Sequence, residues 1–189
     1  MDSPLFYEDI AVGQSWTSPR RTVTEADVVN FATMTGDFNP LHVDYDYAAK
    51  TPYRQPIAHG LLGLSWVAGL GSYFPNMNTV AFTAVRNWEF VRPLFFGDTV
   101  CVETTCMQKD AAGRRNGKVI WERRLLNQSQ QIVQQGSFET LVATKNVVRK
   151  PKFRDDQPEP RSAVYSTDHA AEHHANSQRE VYGREDIER

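Results

Sequence analysis

Cysteine is scarce in this chain of 189 residues: there are two, Cys101 and Cys106. Their odd separation on one strand puts the thiols on opposite faces. That argues against a disulfide or a shared metal between them and leaves two reduced thiols. Long apolar runs are also missing. The longest is about 15 residues, short of the roughly 20 that cross a bilayer. Met1-Asp2-Ser3-Pro4 opens neither a basic nor an apolar segment, so no secretory signal is expected. Charge of one sign is not in excess either. The formal net charge is −2 and the pI about 6.2, which gives no general pull towards nucleic acid or an anionic membrane. A polyanionic ligand would have to be met by local arginines. These absences predict a cytoplasmic protein with neither nucleic acid nor membrane as a partner.

What is present suits one folded domain. Apolar residues make up 40% of the chain and charged residues 23%, a balance typical of a globular core. Gln14 to Val23 reads as a strand, with Pro19 marking an edge or an irregularity. Thr24-Glu25-Ala26-Asp27 is a helix start, with a threonine cap and two acids in the first turn. Val28, Phe31, Ala32 and Thr35 follow at helical spacing, and Gly36 supplies the stop. Val43 to Lys50 predicts a short helix before Pro52. Gly60 to Leu70 is apolar nearly all round, which predicts a helix buried on most faces. Gly63 and Gly69 each cost that helix roughly 1 kcal/mol of propensity, and close approach of a sheet would explain them.

From residue 78 the period changes from helical to alternating. Strands are expected at 80–85, 88–92, 99–104, 119–125 and 138–143. A hairpin is expected at 110–117 and a second tip at 128–135. One helix followed by consecutive strands predicts an α+β fold, an antiparallel sheet wrapped on a central helix.

The chemistry is concentrated in Gly36-Asp37-Phe38-Asn39-Pro40-Leu41-His42. Asn39 precedes a proline and is disfavoured from helical geometry, so the segment is expected to be a loop. Asp37 and His42 can then turn towards one point. A carboxylate and an imidazole around one water form a bifunctional proton-transfer unit. Spacing alone leaves a second reading open, in which Asp37 caps local N–H groups and His42 is a packed histidine. Ala58-His59-Gly60 opens the apolar helix. An unpaired N–H at Gly60, aided by the helix dipole, suits an oxyanion such as a thioester enolate. The alternative is a glycine needed only for the turn. His59 either lines the cleft or serves structure. Arg86 and Arg92 are open between phosphate contacts and solvated strand residues. His169 and His173 have the i, i+4 spacing of a zinc pair, without a convincing third ligand.

These stretches resemble a known family. Gly36 to Asp44 resembles the hydratase 2 motif of MaoC-like dehydratases and (R)-specific enoyl-CoA hydratases. Ile57-Ala58-His59-Gly60 is similar to the start of that family's central helix. Phe90-Val91-Arg92-Pro93 with Gly97-Asp98-Thr99 is similar to its later strand-turn-strand. The three stretches come in the family's order. The resemblance implies a hot-dog fold, usually dimerised edge to edge. It implies reversible hydration of a trans-2-enoyl-CoA to a (3R)-hydroxyacyl-CoA. Asp37 and His42 would activate the water, Asn39 would orient the loop, and the Gly60 N–H would polarise the thioester carbonyl. His59, Phe38, Arg92 and Arg86 are then the expected substrate contacts. Tyr45, Tyr47, Trp66, Tyr73 and Phe74 are candidates for shaping an acyl tunnel. No metal and no redox cofactor is implied, and coenzyme A enters as part of the substrate. The competing function is a hot-dog thioesterase or acyl-thioester-binding protein, because a shared fold does not fix the reaction.

The domain is expected over residues 1–148, with 149–189 as a charged, flexible tail in which 166–181 could form a short amphipathic helix. A chain ending near Lys150 should therefore be soluble and as active as the full chain. Loss of soluble protein would show that the tail packs.

Overall fold

The computed structural model describes residues 3–147; the tail, with His169 and His173, lies outside the described residues. The chain runs β1 (Ser15–Thr17), β2 (Arg21–Thr22), α1 (Glu25–Thr35), α2 (Pro40–Val43), α3 (Tyr45–Ala49), α4 (Gly60–Leu70), β3 (Thr79–Phe90), β4 (Thr99–Ala111), β5 (Asn116–Leu126) and β6 (Ile132–Ala143). All strand pairs are antiparallel, in the order β1-β4-β5-β6-β3, with β2 also on β4. The strand between α4 and the hairpins thus forms one edge of the sheet.

Local chemistry explains the first helix. The Thr24 hydroxyl accepts from the Asp27 N–H, and the Asp27 carboxylate accepts from the Thr24 N–H at 2.9 Å. This capping box satisfies two otherwise orphaned donors. Gly36 ends the helix in the left-handed region, φ 77°, its N–H on the Ala32 carbonyl.

Helix α4 lies against one face of the sheet. Leu62, Trp66 and Val67 share one apolar cluster with Val102, Val119, Trp121, Leu125 and Phe138. Every second residue of β5 is buried, as a half-covered pleated strand requires. Cys106 belongs to this cluster and Cys101 does not, so the thiols face opposite sides and both are free.

Arg123 falls in phase with the buried side of β5. Its Nη1 and Nη2 donate to the Val67 and Gly71 carbonyls at the C-terminal end of α4, at 3.2 and 3.1 Å. Its guanidinium lies 4.7 Å from the centre of the Phe138 ring. Burial lowers its pKa to about 10, still far above neutrality, so a buried cation faces the negative end of the helix dipole.

Three local expectations are revised. The strand expected over residues 14–23 is two short ones, β1 and β2. Pro19 has no N–H to continue the ladder, and Ser18 bridges the gap by donating its N–H to the Val102 carbonyl at 2.9 Å. The strands expected at 80–85 and 88–92 are one strand, β3. Asn87 at φ 50° and a register shift between Arg86 and Glu89 make a bulge, with β6 paired on both sides of it. Helix α4 is buried on one side rather than most, and Leu61 is 59% exposed. No helix among the described residues is long and apolar enough to cross a membrane.

The two helix glycines differ in their surroundings. A Cβ on Gly63 would lie 2.2 Å from Gln134 Nε2, whereas one on Gly69 would meet nothing within 4 Å. Gly63→Ala should therefore destabilise the fold by about 1–3 kcal/mol through overpacking. Gly69→Ala should stabilise it by about 0.5–1 kcal/mol. Denaturant unfolding of both variants checks the opposite signs, and a shift in the same direction would remove close packing as the reason for Gly63.

Candidate functional site

The loop after α1 is built by short side chains. Asp37 Oδ1 accepts from the Asn39 N–H at 3.3 Å, and Asn39 Oδ1 accepts from the Leu41 N–H at 3.0 Å. Asn39 thus caps a single turn of helix, Pro40–Val43, where a loop was expected. A proline at the first helical position is pre-set for that geometry. His42 sits in this turn, and its direction follows from the turn's orientation.

Ile57 joins the turn to the helix lead-in. Its N–H donates to the Leu41 carbonyl at 3.3 Å, and its carbonyl accepts from His42 Nδ1 at 2.7 Å. A carbonyl can only accept, so Nδ1 carries the hydrogen and Nε2 keeps its lone pair. The next residue, Ala58, donates its N–H to the Leu94 carbonyl at 2.7 Å. All three motif stretches therefore meet at residues 57–58. The Gly97-Asp98-Thr99 turn is closed by the Asp98 carboxylate on the Phe95 N–H, 2.9 Å.

His59 lies behind this pair. Its Nε2 donates to the Asp37 carbonyl at 2.9 Å and lies 3.9 Å from Asp37 Oδ2. Its ring lies against that of His42, with centroids 3.8 Å apart and planes tilted by 31°, and packs on Phe31 at 5.1 Å. At 2% exposure it supports the loop and does not line the cavity. The expectation of His59 as a substrate contact is corrected, because its ring is enclosed between Phe31 and His42.

A carboxylate oxygen of Asp37 and a ring nitrogen of His42 lie within 4.8 Å, with no direct hydrogen bond between them. Two polar atoms sharing one water at about 2.8 Å each are about 4.5–5 Å apart. His42 is half-buried. Burial pushes its pKa below the ordinary 6.5, the His59 ring adds to this, and the Ile57 carbonyl and Asp37 oppose it. Neutral imidazole is thus the resting form at neutral pH.

A cavity of about 290 Å³ opens beside His42, bounded also by Gly60, Tyr53, Phe90, Arg92 and Gln134. Gly60 is the first residue of α4, so its N–H has no partner within the helix. The His59 carbonyl is already taken by the Leu62 and Gly63 N–H groups. A Cβ at Gly60 would lie 2.9 Å from the Phe90 ring, so no larger residue fits without moving that ring.

The remaining expectations divide. Arg92 lines the cavity and donates Nη1 to the Ile132 carbonyl at 2.6 Å. Arg86 does not line it. The side chain pairs with Glu139 on the neighbouring strand, and Arg86 is corrected to a sheet residue. Phe38 is 56% exposed on the loop. Of the tunnel candidates, Trp66 belongs to the core. Tyr73 and Phe74 line a separate cavity of about 600 Å³ near the other end of α4, which no carboxylate or imidazole of the described residues bounds. Tyr45 and Tyr47 are exposed and outside both cavities. Tyr53 and Gln134 were missed. Tyr53 follows a turn with no periodic signal, and Gln134 stands in a glutamine-rich stretch that reads as a hairpin tip.

Among the described residues, Asp37, His42 and His59 have spacing compatible with a metal ion. The His59 nitrogen beside the Asp37 carboxylate already donates to a carbonyl. Ligation through it would break that bond.

The MaoC like domain family matches residues 9–125. Protein MaoC of Klebsiella aerogenes is 36% identical over 111 residues, which cover 59% of this chain and 33% of that protein. An (R)-specific enoyl-CoA hydratase of Aeromonas caviae is 36% identical over 106 residues, covering 54% of this chain and 77% of its own length. The monoamine oxidase regulatory protein of an Archaeoglobus species superposes with a TM-score of 0.70 at 32% identity, covering 75% of this chain and 95% of that one. The sheet laid on α4 is the hot-dog fold, and the chain belongs to the MaoC-like domain family.

Proposed function

We propose that the chain is a hydro-lyase that reversibly hydrates a trans-2-enoyl-CoA to a (3R)-hydroxyacyl-CoA. The observation that carries this reading is that His42 and Gly60 bound a single cavity while an Asp37 carboxylate oxygen lies within 4.8 Å of a His42 ring nitrogen. The Aeromonas relative, named as an (R)-specific enoyl-CoA hydratase, supports the reaction class and its stereochemistry.

The chemistry follows from the lone pairs. A water held between the Asp37 carboxylate and His42 Nε2 loses a proton to His42 as its oxygen bonds to C3. The electrons of the C2–C3 double bond move towards the thioester, and negative charge collects on its oxygen. The Gly60 N–H and the positive end of the α4 dipole face that oxygen. C2 then takes a proton from the dyad, which restores its protonation state and completes addition of one water. A general acid/base pair of this kind is worth about 10²–10⁴-fold, and one oxyanion donor about as much. Asn39 serves by capping the turn that carries His42. Arg92 is the cation available to a phosphate or a second carboxylate of the substrate. No metal or redox step is called for, and coenzyme A comes with the substrate.

A second copy of the chain is the proposed partner. Edge strand β3 exposes Val80, Phe82, Val85 and Phe90, and Leu61 of α4 is exposed as well. Pairing β3 with its symmetry mate would continue the sheet and remove an unprotected edge.

Hydration of crotonyl-CoA and longer enoyl-CoAs, followed by loss of the conjugated thioester absorbance, tests the reading. Asp37→Asn and His42→Gln should each lower kcat/KM by about 10²–10⁴-fold with the fold intact. His42 has its pKa lowered in the folded state, so its base form persists as pH falls through 6.5. Its acid limb in kcat/KM should lie below that value. The same shift means that the unfolded chain binds the proton first, so this contribution to stability is lost as pH falls below 6.5. Equal hydration by all three proteins, or release of free thiol in place of hydration, would overturn the assignment.

A further inference from the structure

Gln134 is 2% exposed on β6 and takes no part in the chemistry above. Both ends of its amide are engaged. The Trp88 indole donates to Oε1 at 3.3 Å, and Nε2 donates to the Gly60 carbonyl at 3.0 Å. An indole N–H can only donate and a carbonyl can only accept, so the partners fix which way the amide points. An ionised glutamate or a methionine could not donate to Gly60, and a leucine could do neither job.

The edge strand delivers the indole. The bulge at Asn87 interrupts the β3 register between Arg86 and Glu89, and a bulge re-aims the side chains beside it. Trp88 packs edge-on against Phe138, with centroids 5.4 Å apart. It passes over Gly136, where a Cβ would be 2.6 Å from the indole ring. Two residues later Phe90 covers Gly60. The same strand therefore holds the first residue of α4 twice, by a ring against its Cα and by a relayed hydrogen bond on its carbonyl. Glycine is the residue whose backbone rotates most freely, so an N–H that must point one way needs such a restraint.

We propose that Gln134 is a positioning residue: bridging Trp88 and the Gly60 carbonyl, it locks the first turn of α4 so that the Gly60 N–H faces the cavity. This rests on the hydratase reading of Gly60. It also makes the direction of the donor depend on the conformation of the β3 edge.

The test uses the full chain and the variants Gln134→Leu and Trp88→Phe, with two readouts. The first is kcat and KM for crotonyl-CoA. The second is the red shift of bound 2,4-hexadienoyl-CoA in the Asp37→Asn background, which reports polarisation of the thioester carbonyl without turnover. Gln134→Leu should lower kcat about 10–100-fold with KM within about twofold, and the red shift should be lost. Trp88→Phe should move both in the same direction, kcat by about 3–10-fold, since it removes only the indole N–H that holds Oε1. A folded Gln134→Leu with unchanged kcat and an undiminished red shift overturns the proposal. A fall in activity with a raised KM and an intact red shift overturns it too, because packing alone would explain that result. Should Gln134→Leu fail to fold, Trp88→Phe decides by the same criteria. Absence of any red shift with Gln134 and Trp88 in place overturns the reading of Gly60, and this inference with it.

Discussion

Ile57 is the point on which the site depends. Its N–H and carbonyl bind the Leu41 carbonyl and the His42 ring, and its neighbour Ala58 binds Leu94. Buried backbone groups must be paired, so the helix lead-in can reach α4 only by satisfying these partners. One such pairing decides the tautomer of His42. Because Nδ1 donates to a carbonyl, Nε2 is left as a base. Without the bond the imidazole could rotate or exchange tautomers, and the turn that carries it would be held by the Asn39 cap and the Ile57 N–H on the Leu41 carbonyl. His59 stiffens the other side by fixing the Asp37 backbone from beneath.

The central helix is treated differently at its two ends. At the C-terminal end Arg123 donates to two carbonyls with a guanidinium that burial does not neutralise near pH 7. At the N-terminal end Gly60, whose N–H has no partner within the helix, bounds a cavity. A capped negative end and an uncapped positive end direct the dipole at whatever occupies the cavity. The glycines follow the same division. Gly60 gives room to Phe90 and Gly63 to Gln134, so the sheet approaches the first turn closely, while Gly69 faces no such neighbour.

The parts of this design that depend on local chemistry were legible in the sequence. The Thr24 cap, the Gly36 stop, the start of α4 at Gly60 and the antiparallel strands all follow from side chains acting on nearby backbone. The Asp37–His42 pair was legible as residue types at a spacing, and the family resemblance supplied the third stretch at Phe90 to Thr99. What was not legible depends on contacts between distant elements. The burial of His59 comes from Phe31 and His42 meeting around it. Arg86 is drawn off by Glu139, which lies 53 positions away in sequence. Gln134 looks like any glutamine in a polar stretch until β6 places its amide against α4. The Asn87 bulge joins two predicted strands into one, and nothing in the alternation of residues signals a left-handed asparagine there.

The central claim is that the loop turn and the start of α4 form one site. The most direct measurement is a crystal structure of the Asp37→Asn variant with an unreacted enoyl-CoA bound. The thioester oxygen is expected within hydrogen-bond distance of the Gly60 nitrogen. C3 is expected on the side of His42 and the substituted carboxylate position, with space for one water between them. A thioester seated in the cavity near Tyr73 and Phe74, or one whose oxygen points away from Gly60, would contradict the claim.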